Sequence, residues 1–264
     1  MKFCFYKYQC AGNDFILVDN RKHKLALSID QIRKMCHRKF GIGADGLIQI
    51  ENHSKLDFNI VYFNSDGSES LCLNGARAAV LLASMLNLVV GSKTVFNTVD
   101  GPYSAQILDH GQIKVKMPNV SKFEKLESEF VVHVGVPHYI THVNNILEYQ
   151  VVANGRKVRY SEKYSPDGIN TNFVEELSNN SIFVRTYERG VEDETLSCAS
   201  ASAAAALVFY SKFQCSPIWV KTLGGDLLIE ISPRDSSLSE FNIFLADVYL
   251  TGPATLVFEG EYEI

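Results

Sequence analysis

The stretch from Glu188 to Ala206, E-R-G-V-E-D-E-T-L-S-C-A-S-A-S-A-A-A-A, sets a single cysteine, Cys198, at the entrance of a helix. Every residue from Ala199 to Ala206 is alanine or serine. Such a run has high helix propensity, and its small side chains let other backbone come close. The free N–H groups and positive dipole end of a helix start favour a thiolate and attract carboxylates. One short segment therefore offers a reactive sulfur and a seat for an anion.

The chain repeats this arrangement. Residues 64 to 82, N-S-D-G-S-E-S-L-C-L-N-G-A-R-A-A-V-L-L, again place a polar, acidic turn before a cysteine, Cys72, and follow it with an alanine-rich apolar helix. Downstream, Asn97-Thr98-Val99-Asp100-Gly101 puts its threonine 26 residues after the first cysteine, and Lys221-Thr222-Leu223-Gly224-Gly225 puts its own 24 after the second. The two cysteines lie 126 residues apart, a domain-sized spacing rather than a solenoid one. Two similar domains are expected, each presenting one cysteine at the start of a buried helix. Thiols from two such domains can address opposite faces of one carbon, one as thiolate base and one as thiol acid. A lone buried cysteine is ordinarily a small hydrophobe; placement of two in matching frames favours function.

These residues also carry a family resemblance. Tyr62-Phe63-Asn64-Ser65-Asp66-Gly67-Ser68-Glu69 leading to Cys72-Leu73-Asn74-Gly75, Gly41-Ile42-Gly43-Ala44-Asp45-Gly46, Pro137-His138, Asn170-Thr171-Asn172-Phe173-Val174, Glu188-Arg189-Gly190-Val191 leading to Cys198, and Thr251-Gly252-Pro253-Ala254 resemble the diaminopimelate epimerase family in order and spacing. The resemblance covers nearly the whole chain. It implies an α/β fold of α+β type with two pseudo-symmetric domains, each a strongly curved, mostly antiparallel sheet wrapped round a central helix, and an active site in the cleft between them. The domains expected are 1–119, joined by a final strand at about 252–264, and 120–251. The resemblance further implies a cofactor-independent enzyme and a homodimer, with His138 beside the thiol pair and Asn13 and Asn170 as substrate ligands.

Composition narrows the alternatives. With 264 residues, 46% of them hydrophobic and 21% charged, the chain can bury sizeable cores. A net charge of −5 and the lack of any clustered lysine and arginine argue against nucleic acid; the broken basic run Arg33 to Lys39 reads as a solvated helix face. The N-terminal M-K-F-C-F-Y-K-Y-Q-C alternates like a strand rather than a signal peptide. The longest apolar segment, Ala76 to Val90, is interrupted by Arg77, Ser84 and Asn87 and falls short of the ~20 residues that span a membrane. Six widely spaced cysteines without C-x-x-C read as reduced thiols in a cytoplasm, with no zinc ribbon or other metal site.

Gly41 to Gly46 satisfies G-x-G-x-x-G, yet it follows a helix and opens a strand, the reverse of a dinucleotide fingerprint. It reads as a helix-terminating turn. Apolar spacing predicts that helix over Ile29 to Phe40, with a capping box at Ser28-Ile29-Asp30-Gln31. Leu147 to Ala153 reads as strand.

For the site, Asn64 can donate and accept in fixed geometry toward an amino-acid carboxylate and ammonium; its simpler role is a cap. Asn170 and Asn172 share one face of a strand. Arg189 offers a fork for a carboxylate and Glu188 can receive an ammonium, so together they suit the far end of a zwitterion; a surface ion pair is the simpler alternative. Backbone N–H groups near Leu73, Asn74, Ala199 and Ser200 can stabilise charge on a reacting carboxylate. Pyridoxal phosphate is unnecessary in this scheme.

The sequence departs from the family at Leu73 and Ala199, where glycine is usual, at Val136, where asparagine is usual, and in the loop Val191 to Glu194, one residue longer than usual. These departures keep open a related two-thiol racemase of another or several amino acids. A non-catalytic redox module with a reversible disulfide between Cys72 and Cys198 is the alternative from a different class.

Overall fold

The computed structural model describes residues 2–22, 24–234, 244 and 246–264. The chain divides into two compact units, Met1–Val115 with Gly252–Ile264, and Lys116–Thr251. No helix among the described residues is long and apolar enough to cross a membrane.

The first unit runs β1 (Lys2–Cys10), β2 (Asn13–Asp19), α1 (Ile29–Cys36), β3 (Gly46–Glu51), β4 (Phe58–Asn64), β5 (Glu69–Ser70), α2 (Leu73–Met85), β6 (Lys93–Thr98), β7 (Gly101–Ile107) and β8 (Gln112–Lys116). β1 and β2 are antiparallel, α1 crosses over to put β3 parallel to β2, and β4 returns antiparallel to β3. β4 then pairs with short β5 antiparallel and with β6 parallel, and β6, β7 and β8 form a meander. Strands β1, β2, β3, β4 and β7 all pack on α2, which is why its residues are buried from Leu73 to Val80. Gly75 makes the closest approach possible, since a Cβ there would lie 2.8 Å from Ile48 Cδ1.

The second unit runs β9 (Val120–Lys125), β10 (Glu129–Val134), β11 (Val136–His142), α3 (Val151–Arg159), β12 (Asn170–Ser178), β13 (Ser181–Glu188), β14 (Asp193–Thr195), α4 (Ala199–Phe213), β15 (Ile218–Thr222), β16 (Gly225–Pro233) and β17 (Ala246–Pro253). From β10 onward its wiring repeats the first unit. An antiparallel pair is followed by a helical crossover to a parallel strand, an antiparallel return, a short strand, a buried helix, a parallel strand and antiparallel partners. Strands β10, β11, β12, β13, β15 and β16 pack on α4. Its alanines and serines present almost no side-chain volume, so Ala201 to Val208 sit fully buried among those strands. The last strand, β18 (Thr255–Glu263), belongs to the first unit and lies antiparallel to β1, as β9 does to β10.

The capping box forms as the sequence predicts: Gln31 N donates to Ser28 Oγ and Ser28 N donates to Gln31 Oε1. The helix, however, ends at Cys36 and not at Phe40, which is 78% exposed. His37 leaves helical geometry, and its Nδ1 accepts from the amides of Lys39 and Phe40, replacing the helical bonds these would have made. In the following turn only Gly43 takes positive φ, +81°, while Gly41 is there because any Cβ would collide with the Lys34 carbonyl. The reading of Leu147 to Ala153 as strand is also overturned. A 3-10 turn at Ile146–Glu148 leads into α3. Val151 and Gly155 form its buried face at a helical interval, and a Cβ on Gly155 would fall 2.3 Å from Tyr187 Cβ. The two valines misled because β-branching outweighed that spacing.

Candidate active site

Cys72 is the N-cap of α2 and Cys198 the N-cap of α4. Both have extended backbone, with φ and ψ of −126° and 111° for Cys72 and −122° and 119° for Cys198. Neither side chain caps its own helix, so each sulfur stays at the helix start without being consumed by it. Both are half-buried, and none of the six cysteines is in a disulfide.

Around Cys72 the first unit builds a charged framework. The thiol approaches Asn13 Oδ1 at 3.6 Å, and that oxygen also accepts from Asn74 Nδ2 at 3.2 Å. Asn13 Nδ2 donates to Asp45 Oδ2 at 2.7 Å, which fixes which end of the amide faces the sulfur. Asp45 is held in turn by Arg38, whose fork also grips both oxygens of Asp14. Buried Lys7 pairs with Asp14 at 2.6 Å and donates to the Gly43 carbonyl. Burial opposes ionisation of Asp14, but the hydrogen bonds and charges of Arg38 and Lys7 win and hold its pKa down at about 2. Arg38 thus does more than form a solvated face, because the early end of α1 frees it to reach back to β2. Leu73, the first residue of α2, is buried. Among the described residues no hydrogen bond joins Asn64 to this group: its amide donates to Ser68 Oγ and Ser70 Oγ and organises the turn before Cys72. It caps no helix, since that place is taken by Cys72.

Around Cys198 the second unit places mainly neutral buried groups. The sulfur lies 3.5 Å from Ser200 Oγ, and the Cys198 carbonyl accepts from both the amide and the hydroxyl of Ser202. Ala199 is buried and Ser200 half-buried at the first turn. His138 on β11, one of the strands packed on α4, is fully buried. Asn172 Nδ2 lies 3.3 Å from its Nδ1 and donates at 2.8 Å to the Tyr139 carbonyl, while Asn172 Oδ1 accepts from Thr186. An amide donor at Nδ1 assigns the ring proton to Nε2, which is buried without a partner among the described residues. Burial, then the charge of His133, pushes the His138 pKa down to about 3 against the opposing hydrogen bond of Asn172, with Arg189 adding a lesser push down, so the ring is a neutral donor.

β12 and β13 bring the remaining residues together. Asn170 Oδ1 accepts from the Arg189 amide at 2.8 Å, tying the end of β13 to the start of β12. Glu188 and Arg189 are both half-buried at that end. The lengthened loop is anchored by Glu192, whose carboxylate accepts from Arg159, Tyr160, Tyr187 and the Gly190 amide. Val136, at the start of β11, is half-buried.

Sequence reasoning passed over Lys7, Asp14, Arg38 and Asp45 as a framework, although Asp14 and Asp45 lay inside turns already singled out. It also passed over Arg77 on α2, fully buried, whose Nη1 donates to Asn74 Oδ1 at 3.0 Å. An arginine inside an alanine-rich apolar helix was the available signal.

Comparison with known proteins gives one family and one fold. The family model described as Diaminopimelate epimerase matches residues 5–123 and 130–257. A diaminopimelate epimerase of Flavobacterium psychrophilum is 40% identical over 262 residues, covering 96% of this chain and 98% of that protein. One from Aquifex aeolicus is 38% identical over 278 residues, covering 97% and 96%. Among solved structures, a phenazine biosynthesis protein of the PhzF family from Bacillus anthracis superposes with a TM-score of 0.77 at 14% identity, covering 100% of both chains. A hydroxyproline epimerase from Agrobacterium vitis does so with a TM-score of 0.66 at 13% identity, covering 98% of this chain and 92% of that one. These two likenesses establish the fold.

Proposed function

The chain belongs to the diaminopimelate epimerase family, and from that membership we propose that it interconverts L,L- and meso-diaminopimelate with Cys72 and Cys198 as its two acid–base groups. The observation that carries the assignment of roles is their equivalence: two thiols occupy the same N-cap position, in the same backbone conformation, on the same element of a duplicated wiring.

Inverting a stereocentre requires a base on one face of the carbon and an acid on the other. In this reading one sulfur removes the α-proton as thiolate while the other, as thiol, delivers a proton to the opposite face. The transferred pair balances: one S–H bond forms as the substrate C–H breaks, and one C–H forms as the second S–H breaks. The α-proton is weakly acidic, so negative charge gathering on the adjacent carboxylate needs preorganised donors. Backbone N–H groups at Leu73, Asn74, Ala199 and Ser200 are those donors, unused by their own helices at these positions. Asn13 and Asn74 orient the substrate beside Cys72, and His138 offers its Nε2–H. Asn170 sets the backbone of Arg189, which takes the distal carboxylate while Glu188 takes the distal ammonium. Asn64 shapes the turn that delivers Cys72 and meets substrate there. No pyridoxal group takes part.

The test is deuterium incorporation at the α-carbon in heavy water under reducing conditions. Incorporation with L,L-diaminopimelate is expected; incorporation only with smaller amino acids transfers the proposal to another racemase, and none with any amino acid overturns it.

A further inference from the structure

We infer that Arg77 is a positioning residue for Cys72, a buried cation that makes Cys72, rather than Cys198, the thiolate of the resting enzyme. This rests on the two-thiol reading and adds an asymmetry to it.

Arg77 is 0% exposed, the largest of the fully buried side chains. Its hydrogen bonds go to neutral oxygens, Asn74 Oδ1 at 3.0 Å and the Pro253 carbonyl at 3.4 Å, and its Nη2 has no partner among the described residues. Placing a guanidinium in such a site is costly unless negative charge is near. Burial works against its charged form, and the groups that favour it are the sulfurs of Cys10 and Cys72. Cys10 is buried, which pushes its pKa up to about 11, so it stays a thiol at neutral pH. Cys72 remains.

The other titratable groups supplied by elements packed on α2 do not cancel Arg77. Lys7, Asp14, Arg38 and Asp45 form a closed set of two cations and two carboxylates. Burial raises Tyr8 on β1 and Tyr103 on β7 to about 12, keeping both neutral; burial raises Tyr6 on β1 too, and Tyr62 on β4 is the other phenol. The connection from Arg77 is short: Nη1 donates to Asn74 Oδ1, Asn74 Nδ2 donates to Asn13 Oδ1, and that oxygen faces the sulfur. Asn13 Oδ1 alone would favour the protonated thiol, so the cation and the helix dipole must outweigh it. In α4 the residue at the same distance beyond its cysteine is Ala203, buried and uncharged.

The merely structural alternative is that Arg77 pins α2 to the chain at Pro253. Alkylation of the full-length protein by iodoacetamide as a function of pH, read peptide by peptide, separates the two. The half-maximal pH for Cys72 is expected to lie below that for Cys198. In Arg77→Met, or in Arg77→Gln should the first variant not fold, the Cys72 value is expected to rise by about one pH unit, a tenfold change, while Cys198 stays put. Arg77→Lys, which keeps the charge, should restore the order. A variant that melts earlier without moving the Cys72 value overturns the inference, as does a wild-type protein in which Cys198 ionises first. Deuterium exchange on the same wild-type sample tells the failures apart: exchange without the thiol order sinks this inference alone, and no exchange sinks the two-thiol reading with it.

Discussion

The two units share their wiring strand for strand, yet they surround their cysteines with opposite kinds of polarity. Cys72 sits beside an amide held by a carboxylate, within a framework of Lys7, Asp14, Arg38 and Asp45, with Arg77 beneath. Cys198 sits by a serine hydroxyl, in a unit whose buried polar groups include His138, Asn170, Asn172 and Thr186, all neutral. Backbone pairing was duplicated, whereas side-chain electrostatics diverged. One repeated backbone frame therefore carries two differently surrounded thiols.

The most forceful way to break this comparison is to remove each sulfur. Cys72→Ala and Cys198→Ala are each expected to lower turnover by about 10²- to 10⁴-fold, the usual scale for a positioned acid or base. Should one variant keep its activity, the halves are not partners in one reaction.

Acid stability tests the neutral half next. His138 has a lower pKa folded than unfolded, so the unfolded chain takes up the proton first, and stability is lost as pH falls from 6.5 toward about 3. Each unit of that depression corresponds to about 1.4 kcal/mol. Denaturant midpoints measured across this window should fall steeply in wild type and much less in His138→Asn.

Arg189→Ala should raise KM about 10- to 100-fold with a smaller change in kcat, the scale of a charge-assisted hydrogen bond made equally in ground and transition states. An unchanged KM would remove Arg189 from substrate. Smallest, and belonging to the charged half, is Asp14. Its pKa is depressed on folding from 3.8 to about 2, so its contribution is full above 3.8 and lost below, on the order of 2 kcal/mol. This lower limb should persist in His138→Asn and vanish in Asp14→Asn.

Much of this was legible in the sequence because it rests on local signals. The cysteine-to-alanine transitions at 72 and 198 announced both buried helices, and Ser28 with Gln31 announced a cap that forms as read. What escaped depended on partners distant in the chain. Arg38 looked like surface until Asp14, 24 residues earlier, came to face it. Val151 and Val152 looked like strand until Tyr187 required a glycine against it. Asn64 read as a substrate ligand or a helix cap; Cys72 takes the cap position, and the Asn64 amide donates to Ser68 and Ser70 in the turn before it.

The pairing of β18 with β1 inverts the order of construction. During synthesis the leading half emerges first with β1 paired to β2 alone, and the other edge of β1 lacks its neighbour until residues 255–263 have followed the whole trailing half out. The earlier half must wait, its β1 edge open to wrong pairing, while the later one already has every strand it needs.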